Sequence, residues 1–294
     1  MRVVTAQPAE HVTALSMLFR HLPPEDSLAR MRGGQRLLEE QGSRLLVARE
    51  GGAIVGATLA QVLPGATGVL WPPCAAPGAG EPQRIEDALL HEALAWLRRG
   101  GAKLAQAVLA REDTHLGVAL VRGGFSRPTE LVYFEFSPGN LPDKSCGDGF
   151  ENYTKAGAAT FHDTLMRSHE GTLDFPELDG RRSLREILQG YQAPGHDPAR
   201  WWLRRDGRTP TGVLILTAMP GQEWELSYVG VVPTARRRGH GRALVLKAIA
   251  EARSAGAGVL TVSVDARNLP ALVLYRTLGF TEIDRRDVYL KVEC

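Results

Sequence analysis

The chain says the same thing twice. The stretch GAGVLTVSVDARNLPALVLYRTLGF, from Gly256 to Phe280, aligns without a gap with GAKLAQAVLAREDTHLGVALVRGGF, from Gly101 to Phe125, at an offset of 155 residues. Each copy reads Gly-Ala, a β-type run, a polar turn, an apolar helix, then Gly-Phe. Upstream, Leu45-Leu-Val-Ala-Arg-Glu-Gly with Gly56 is echoed by Trp201-Trp-Leu-Arg-Arg-Asp-Gly with Gly212. Solenoid units run about 20–50 residues, so a period this long means duplicated domains. A length of 294 residues suits two domains of about 150 each. The segment 138–149, rich in Pro, Gly and small polar residues, reads as the linker between domains 1–137 and 150–294.

Composition removes several classes of function. Lys+Arg 35 against Asp+Glu 33 leaves a formal net charge of +2, so no global field draws nucleic acid or an anionic membrane. Cys74, Cys146 and Cys294 are scattered, which argues against a disulfide framework or a Cys-based metal site and for a reducing compartment. The uncharged stretch 51–80 contains Pro64, Pro72, Pro73 and Pro77 and forms no spanning helix. The N-terminal residues lack the apolar core of a secretion signal. The expectation is a soluble cytoplasmic protein with no metal.

In the second copy the spacing predicts a helix over 158–168 and a capping box at Ser183–Glu186. Strands are expected over 201–205, 212–218 and 223–231, a helix over 242–254, a strand over 259–264, a helix over 270–278 and a last strand over 288–292. Strands first and then strand–helix–strand–helix–strand indicates an α/β (α+β) fold, a mixed sheet with helices on its faces.

The segment Val229-Gly-Val-Val-Pro-Thr-Ala-Arg-Arg-Arg-Gly-His-Gly-Arg joins a strand to a long helix. A helix N-terminus presents unpaired N–H donors and a partial positive charge. Gly239 and Gly241 let the backbone approach a bulky anion, and Arg236, Arg237, Arg238 and Arg242 supply charge, which makes a phosphate or pyrophosphate cradle. No Lys-Ser or Lys-Thr follows, so a Walker loop is excluded. Leu244 stands where a third Rossmann glycine belongs. What remains is Arg236-x-x-Gly239-x-Gly241.

At this point the chain resembles the GNAT superfamily of acyl-CoA-dependent N-acyltransferases, whose pyrophosphate loop is Gln/Arg-x-x-Gly-x-Gly/Ala. The pattern continues with Asn268, Ala271, Tyr275 and Gly279-Phe280. The resemblance covers about the last 80 residues closely and implies two tandem GNAT-like domains, each a mixed, mostly antiparallel twisted sheet flanked by helices. It implies acetyl-CoA or another short acyl-CoA as co-substrate, an amine as acceptor, and no metal. Val229, Val231 and Val232 would offer main-chain groups to the pantetheine arm, and the loop through His240 would hold the pyrophosphate, with the His240 imidazole itself read as a surface group. Asn268 would offer its amide to the cofactor, or cap the next helix, or both. Tyr275 would protonate the departing thiolate; the alternative is a packed aromatic. An amine acceptor must lose a proton before it attacks, and Glu225 and Glu223 share one strand face. Glu225, five residues before Gly230, matches the base position of tandem-domain members of the family.

The first copy serves as an internal comparison. Leu120 replaces Tyr275, Asp113 replaces Asn268, and the loop becomes Gly80-Glu-Pro-Gln-Arg-Ile-Glu-Asp, with no glycine inside it and with Glu81, Glu86 and Asp87 set against phosphate. A helix over 85–96, a strand over 104–109 and Gly124-Phe125 remain. The first domain therefore reads as degenerate and non-catalytic. Between 171 and 180, Asp174, Glu177 and Asp179 would suit a cationic acceptor, but the segment reads as a solvated loop. The competing reading of the whole is a non-catalytic acyl-CoA-binding or sensing module.

Overall fold

The computed structural model describes residues 1–140, 147–192 and 197–293; Cys146, Cys294 and the middle of the expected linker lie outside the described residues. In chain order the elements are β1 (Arg2–Thr5), α1 (His11–Phe19), α2 (Pro24–Glu39), β2 (Ser43–Glu50), β3 (Ala53–Leu63), β4 (Thr67–Leu70), β5 (Cys74–Ala75), α3 (Pro82–Arg99), β6 (Leu104–Ala110), α4 (Gly117–Arg122) and β7 (Ser126–Phe136). They continue with β8 (Phe150–Asn152), α5 (Ala158–His169), α6 (Leu184–Tyr191), β9 (Trp201–Asp206), β10 (Thr209–Ala218), β11 (Glu223–Val231), α7 (His240–Ser254), β12 (Val259–Asp265), α8 (Leu269–Thr277) and β13 (Thr281–Val292).

The chain forms two compact units: Met1–Thr129 with the C-terminal stretch from Arg286, and Glu130–Arg285. The first carries strands in the order β1-β2-β3-β4-β6, closed by Arg286–Val292 of β13 against β6, with β5 also beside β3. The second runs β12-β11-β10-β9-β8, closed by Leu131–Phe136 of β7 against β12. In each, one step is parallel, β4 with β6 and β11 with β12. The remaining steps within each unit are antiparallel. Residues 131–136 and 286–291 are equivalents at the repeat offset, so each unit is closed by the other copy's last strand. The boundary at 138–149 is thus crossed by one strand in each direction.

Alternation along β10 divides the second unit's core. Leu214 and Leu216 face Leu244, Val245 and Ile249 of α7, whereas Val213 and Ile215 face Phe161 and Leu165 of α5 and Ile187 of α6. Ser183 caps α6 as the sequence predicts: its Oγ accepts the Glu186 N–H, and the Glu186 carboxylate accepts the Ser183 N–H at 2.7 Å. Gly256 and Gly279 end α7 and α8 in left-handed conformations.

Candidate functional site: a split strand pair over a helix start

The parallel pair β11–β12 is joined only at Glu223–Glu225 with Val259–Thr261, although the strands run on to Val231 and Asp265. The cause is local. Against β10, the register slips between Leu216↔Leu226 and Ile215↔Tyr228, so Ser227 is an extra residue on β11. A bulge of this kind bends its strand and ends pairing. Beyond it the strands part, and a cleft of about 400 Å³ opens between Leu226–Val231 and Val262–Val264. Strand edges left unpaired carry free N–H and C=O groups, which suit an extended amide-bearing ligand. Val229 and Val231 line this cleft. Val232 does not: it is buried, and its N–H is bonded to the Thr211 carbonyl at 3.0 Å, because the chain turns back toward β10 there.

One end of the cleft meets the start of α7. The N–H groups of residues 237–242 have no acceptor among the described residues; the first N–H to re-enter the helix ladder is that of Ala243, bonded to Gly239 O at 3.0 Å. Arg237 and Gly239 adopt positive φ of 64° and 85°, which turns this run of donors into a concave nest. Gly239 needs glycine for that conformation. Gly241 does not need it for packing, since an added Cβ would meet only Leu274 and Val231 at 3.8 and 3.9 Å, and the room it would take is cleft. Arg237, Arg238 and Arg242 are exposed and make no ion pair among the described residues.

Two side chains depart from the sequence reading. The Arg236 guanidinium is not offered to an anion. Its Nε donates to Val231 O at 3.1 Å, and its Nη atoms donate to the carbonyls of Ser168, Glu170 and Gly171 at 3.2, 2.6 and 3.0 Å. These are the orphan acceptors at the end of α5, where a cation is favoured, so Arg236 ties that helix end to the cradle. His240 is buried at 8% exposure, as the first residue of α7, and is not a surface group.

Asn268 stands at the start of α8. Its Oδ1 caps α8 by accepting the Ala271 N–H at 3.3 Å, and it lines the cleft. Tyr275, on α8, is buried between Phe134 and Phe280 with ring centroids at 5.9 and 5.4 Å, and it lines the cleft as well. Its hydroxyl has no hydrogen-bond partner among the described residues, and burial pushes the phenol up, so it stays protonated. Glu225 is half-buried; desolvation, then the nearby Glu223 charge, raise its carboxyl. It does not touch the cleft directly.

A second cavity, of about 390 Å³, lies between α5, α6, the 171–180 loop and β11, lined by His169, Arg182, Tyr191 and Tyr228 among others. Burial, with Arg182 nearby, lowers His169 to about 4, so its imidazole is neutral, and its Nε2 and the Arg182 Nε are buried without hydrogen-bond partners among the described residues. The Tyr228 hydroxyl lies 2.9 Å from Ser168 Oγ, packed over the bare Cα of Gly230. Asp174, in the loop read as solvated, lines both cavities. Sequence reasoning passed over Ser168, His169, Arg182, Tyr191 and Tyr228. The signal for Tyr228 was its place beside the Gly230 at which β11 diverges.

The first unit repeats the frame without the cradle. At the start of α3, Pro82 lacks an N–H, Glu81 pairs with Arg84, and Glu86 and Asp87 pair with Arg122. Leu120 is fully buried, and Asp113 pairs with His21 at 3.1 Å.

A mixed sheet parted at its parallel step, with a nest of main-chain donors at the following helix, is the architecture of an acyl-group transferase. The chain belongs to the acetyltransferase (GNAT) family, whose pattern residues 163–280 match. It is similar to a mycothiol acetyltransferase of Thermomonospora curvata, at 30% identity over 87% of this chain and 83% of that protein. The mycothiol acetyltransferase of Beutenbergia cavernae is 28% identical over 96% and 95% of the two chains. Among solved structures, a GCN5-related N-acetyltransferase from Sphaerobacter thermophilus superposes with a TM-score of 0.61 at 16% identity, covering 99% of this chain and 95% of that one. A tandem GNAT protein of the clavulanic acid biosynthesis pathway gives 0.50 at 14% identity, covering 99% and 98%. The tandem, mixed and mostly antiparallel architecture expected from the repeat and the resemblance is therefore found, and the protein is an N-acetyltransferase. Among the described residues no helix is long and apolar enough to cross a membrane, and no group of three His, Cys, Asp or Glu is placed to hold a metal.

Proposed function

We propose that the second unit transfers an acetyl group from acetyl-CoA to a primary amine by direct attack, with both substrates bound at once. The observation that carries this reading is the run of unpaired N–H groups at 237–242, set at the end of a cleft whose edges are free main chain. A diphosphate would sit on that nest, beside the free Arg237, Arg238 and Arg242; the pantetheine arm would run along Val229 and Val231, with Asn268 opposite. Tyr275 is protonated and lacks a partner, as a general acid for the thiolate requires. Glu225 would receive a proton through water, because it stands back from the cleft. The second cavity is the acceptor's place. The first unit, with carboxylates and Pro82 at the matching helix start, would be structural.

The test is calorimetric. The whole protein should bind acetyl-CoA, and Gly241→Glu should abolish binding by filling the cleft and setting a carboxylate on the nest. In parallel, CoA release with glucosamine, spermidine and Gly-Ala as acceptors should occur for the native chain and fall to background for Gly241→Glu. Undiminished binding of acetyl-CoA by Gly241→Glu would overturn the reading.

A further inference from the structure

The two cavities share a wall made of Thr172, Asp174, Ser227 and Tyr228. Asp174 is the carboxylate at this junction. It is exposed to solvent along the walls of both cavities. Its Oδ1 accepts the Asp265 N–H at 2.7 Å, and its Oδ2 has no partner among the described residues. The side chain is held in place from several directions. The Asp174 N–H donates to Thr172 Oγ1 at 3.0 Å. Phe175, next in sequence, takes a φ of +49°, uncommon for a non-glycine residue, and donates its N–H to Asp265 Oδ2 at 3.1 Å. Arg267 fastens Asp265 to Glu177 through bonds of 2.7 and 2.6 Å. A strained, heavily braced loop that leaves one carboxylate oxygen without a partner among the described residues, on a residue that walls two cavities, is a device for presenting charge.

We propose that Asp174 is a catalytic carboxylate, whose Oδ2 receives the acceptor ammonium at the junction and takes the proton that must leave before the amine attacks. The proposal rests on the acetyl-transfer reading above. An ammonium N–H bond breaks and its proton passes to Oδ2. The freed lone pair forms the C–N bond at the thioester carbonyl. The C–S bond then breaks with its electron pair on sulfur, and sulfur takes the Tyr275 proton. Nitrogen's second surplus proton passes through water to Glu225, the role given to it above; Tyr275 regains its proton from solvent while Glu225 and Asp174 return theirs, so one proton is released net per turnover.

Charge and chemistry around Asp174 agree with this role. The groups within electrostatic reach are Asp265 and Arg267 at the end of β12, Tyr228 on β11, Tyr275 on α8 and Tyr191 on α6, which Glu225 also reaches. Arg267 is engaged by Asp265 and Glu177, and the other cations lining the same cavities are Arg237 in the cleft and Arg182 in the second cavity, neither of which is bonded to Oδ2. Burial pushes the Asp174 carboxyl up to about 6. A base must be ionised, so activity should climb as pH rises through about 6 and level off above it.

The experiment uses the full chain with Asp174→Asn, which keeps an oxygen for the Asp265 N–H, and Asp174→Glu. Calorimetry on CoA-loaded protein would measure binding of glucosamine, spermidine and Gly-Ala, with glucose as the uncharged counterpart of glucosamine. Steady-state rates would be followed from pH 5 to 9. The expected result for Asp174→Asn is unchanged acetyl-CoA affinity, a loss of about 10²-fold in kcat/KM, disappearance of the rise near pH 6, and weakened amine binding without effect on glucose. Asp174→Glu should recover part of the rate. Native amine binding and pH profile in Asp174→Asn would overturn the proposal while leaving acetyl transfer standing. Failure of the native chain to bind acetyl-CoA, or to bind any of the three amines when loaded with CoA, would overturn both.

Discussion

Tyr275→Phe is expected to lower acetyl transfer by about 10²–10⁴ while leaving acetyl-CoA affinity nearly unchanged. Only the hydroxyl is removed. The ring contacts with Phe134 and Phe280 do not involve it, and it has no hydrogen-bond partner to orphan among the described residues. Melting temperature should therefore hold, which separates a chemical effect from a packing one. Burial raises the phenol, so at neutral pH the group is a reservoir of one proton and is not a base. Without it, the thiolate must leave unprotonated or wait for water, and the penalty falls on kcat and not on substrate binding. Calorimetry with acetyl-CoA and stopped assays of CoA release on the same preparation measure the two sides. A protein that bound acetyl-CoA and released no CoA with any amine, the Phe variant behaving identically, would be a binding module.

Much of this site could be read from the chain, because main-chain devices leave marks in sequence. Gly239 and Gly241 before an apolar helix, and Asn268 three residues ahead of Ala271, state backbone geometry directly. The duplicated copy supplied contrast, since it kept the helix and strand and lost the glycines. Side-chain commitments were harder to read. The Arg236 guanidinium serves the end of α5, distant in sequence, so its charge looked available when it was not. His240 and Val232 differ from the expectation for a related reason: each adjoins a turn, and whether a residue there points in or out depends on what packs against the turn. Asp174 sits in a segment of turn-like composition and is exposed as that composition implies; what the sequence does not show is the bond from the Asp265 N–H and the cavity on either side. The closing strands were hidden by the repeat itself. Residues 131–136 and 286–291 occupy equivalent places in the two copies, and place in the repeat does not say which copy of β6 or β12 each will join.

That exchange carries the largest expected effect on stability. A chain of residues 150–294, the second half by sequence, lacks Leu131–Phe136 and is expected to be unfolded or aggregated. Val132 and Phe134 are fully buried and Phe136 is 6% exposed, all within the core shared with α7 and α8. At about 1.5–3 kcal/mol for each buried side chain, their loss removes roughly 5–9 kcal/mol, against about 5–15 kcal/mol for the whole stability of a domain. It also leaves β12 with an open edge and Tyr275 without its Phe134 neighbour. The tail from Arg286, by contrast, belongs to the other unit and contributes nothing to this core. A chain of residues 130–285 should therefore fold where 150–294 does not, despite both missing most of the first half. Circular dichroism melts and gel filtration of the two fragments decide the matter: a cooperative melt for 150–294 equal to that of 130–285 would mean that Leu131–Phe136 is dispensable and that the strand exchange does not set the stability of this unit.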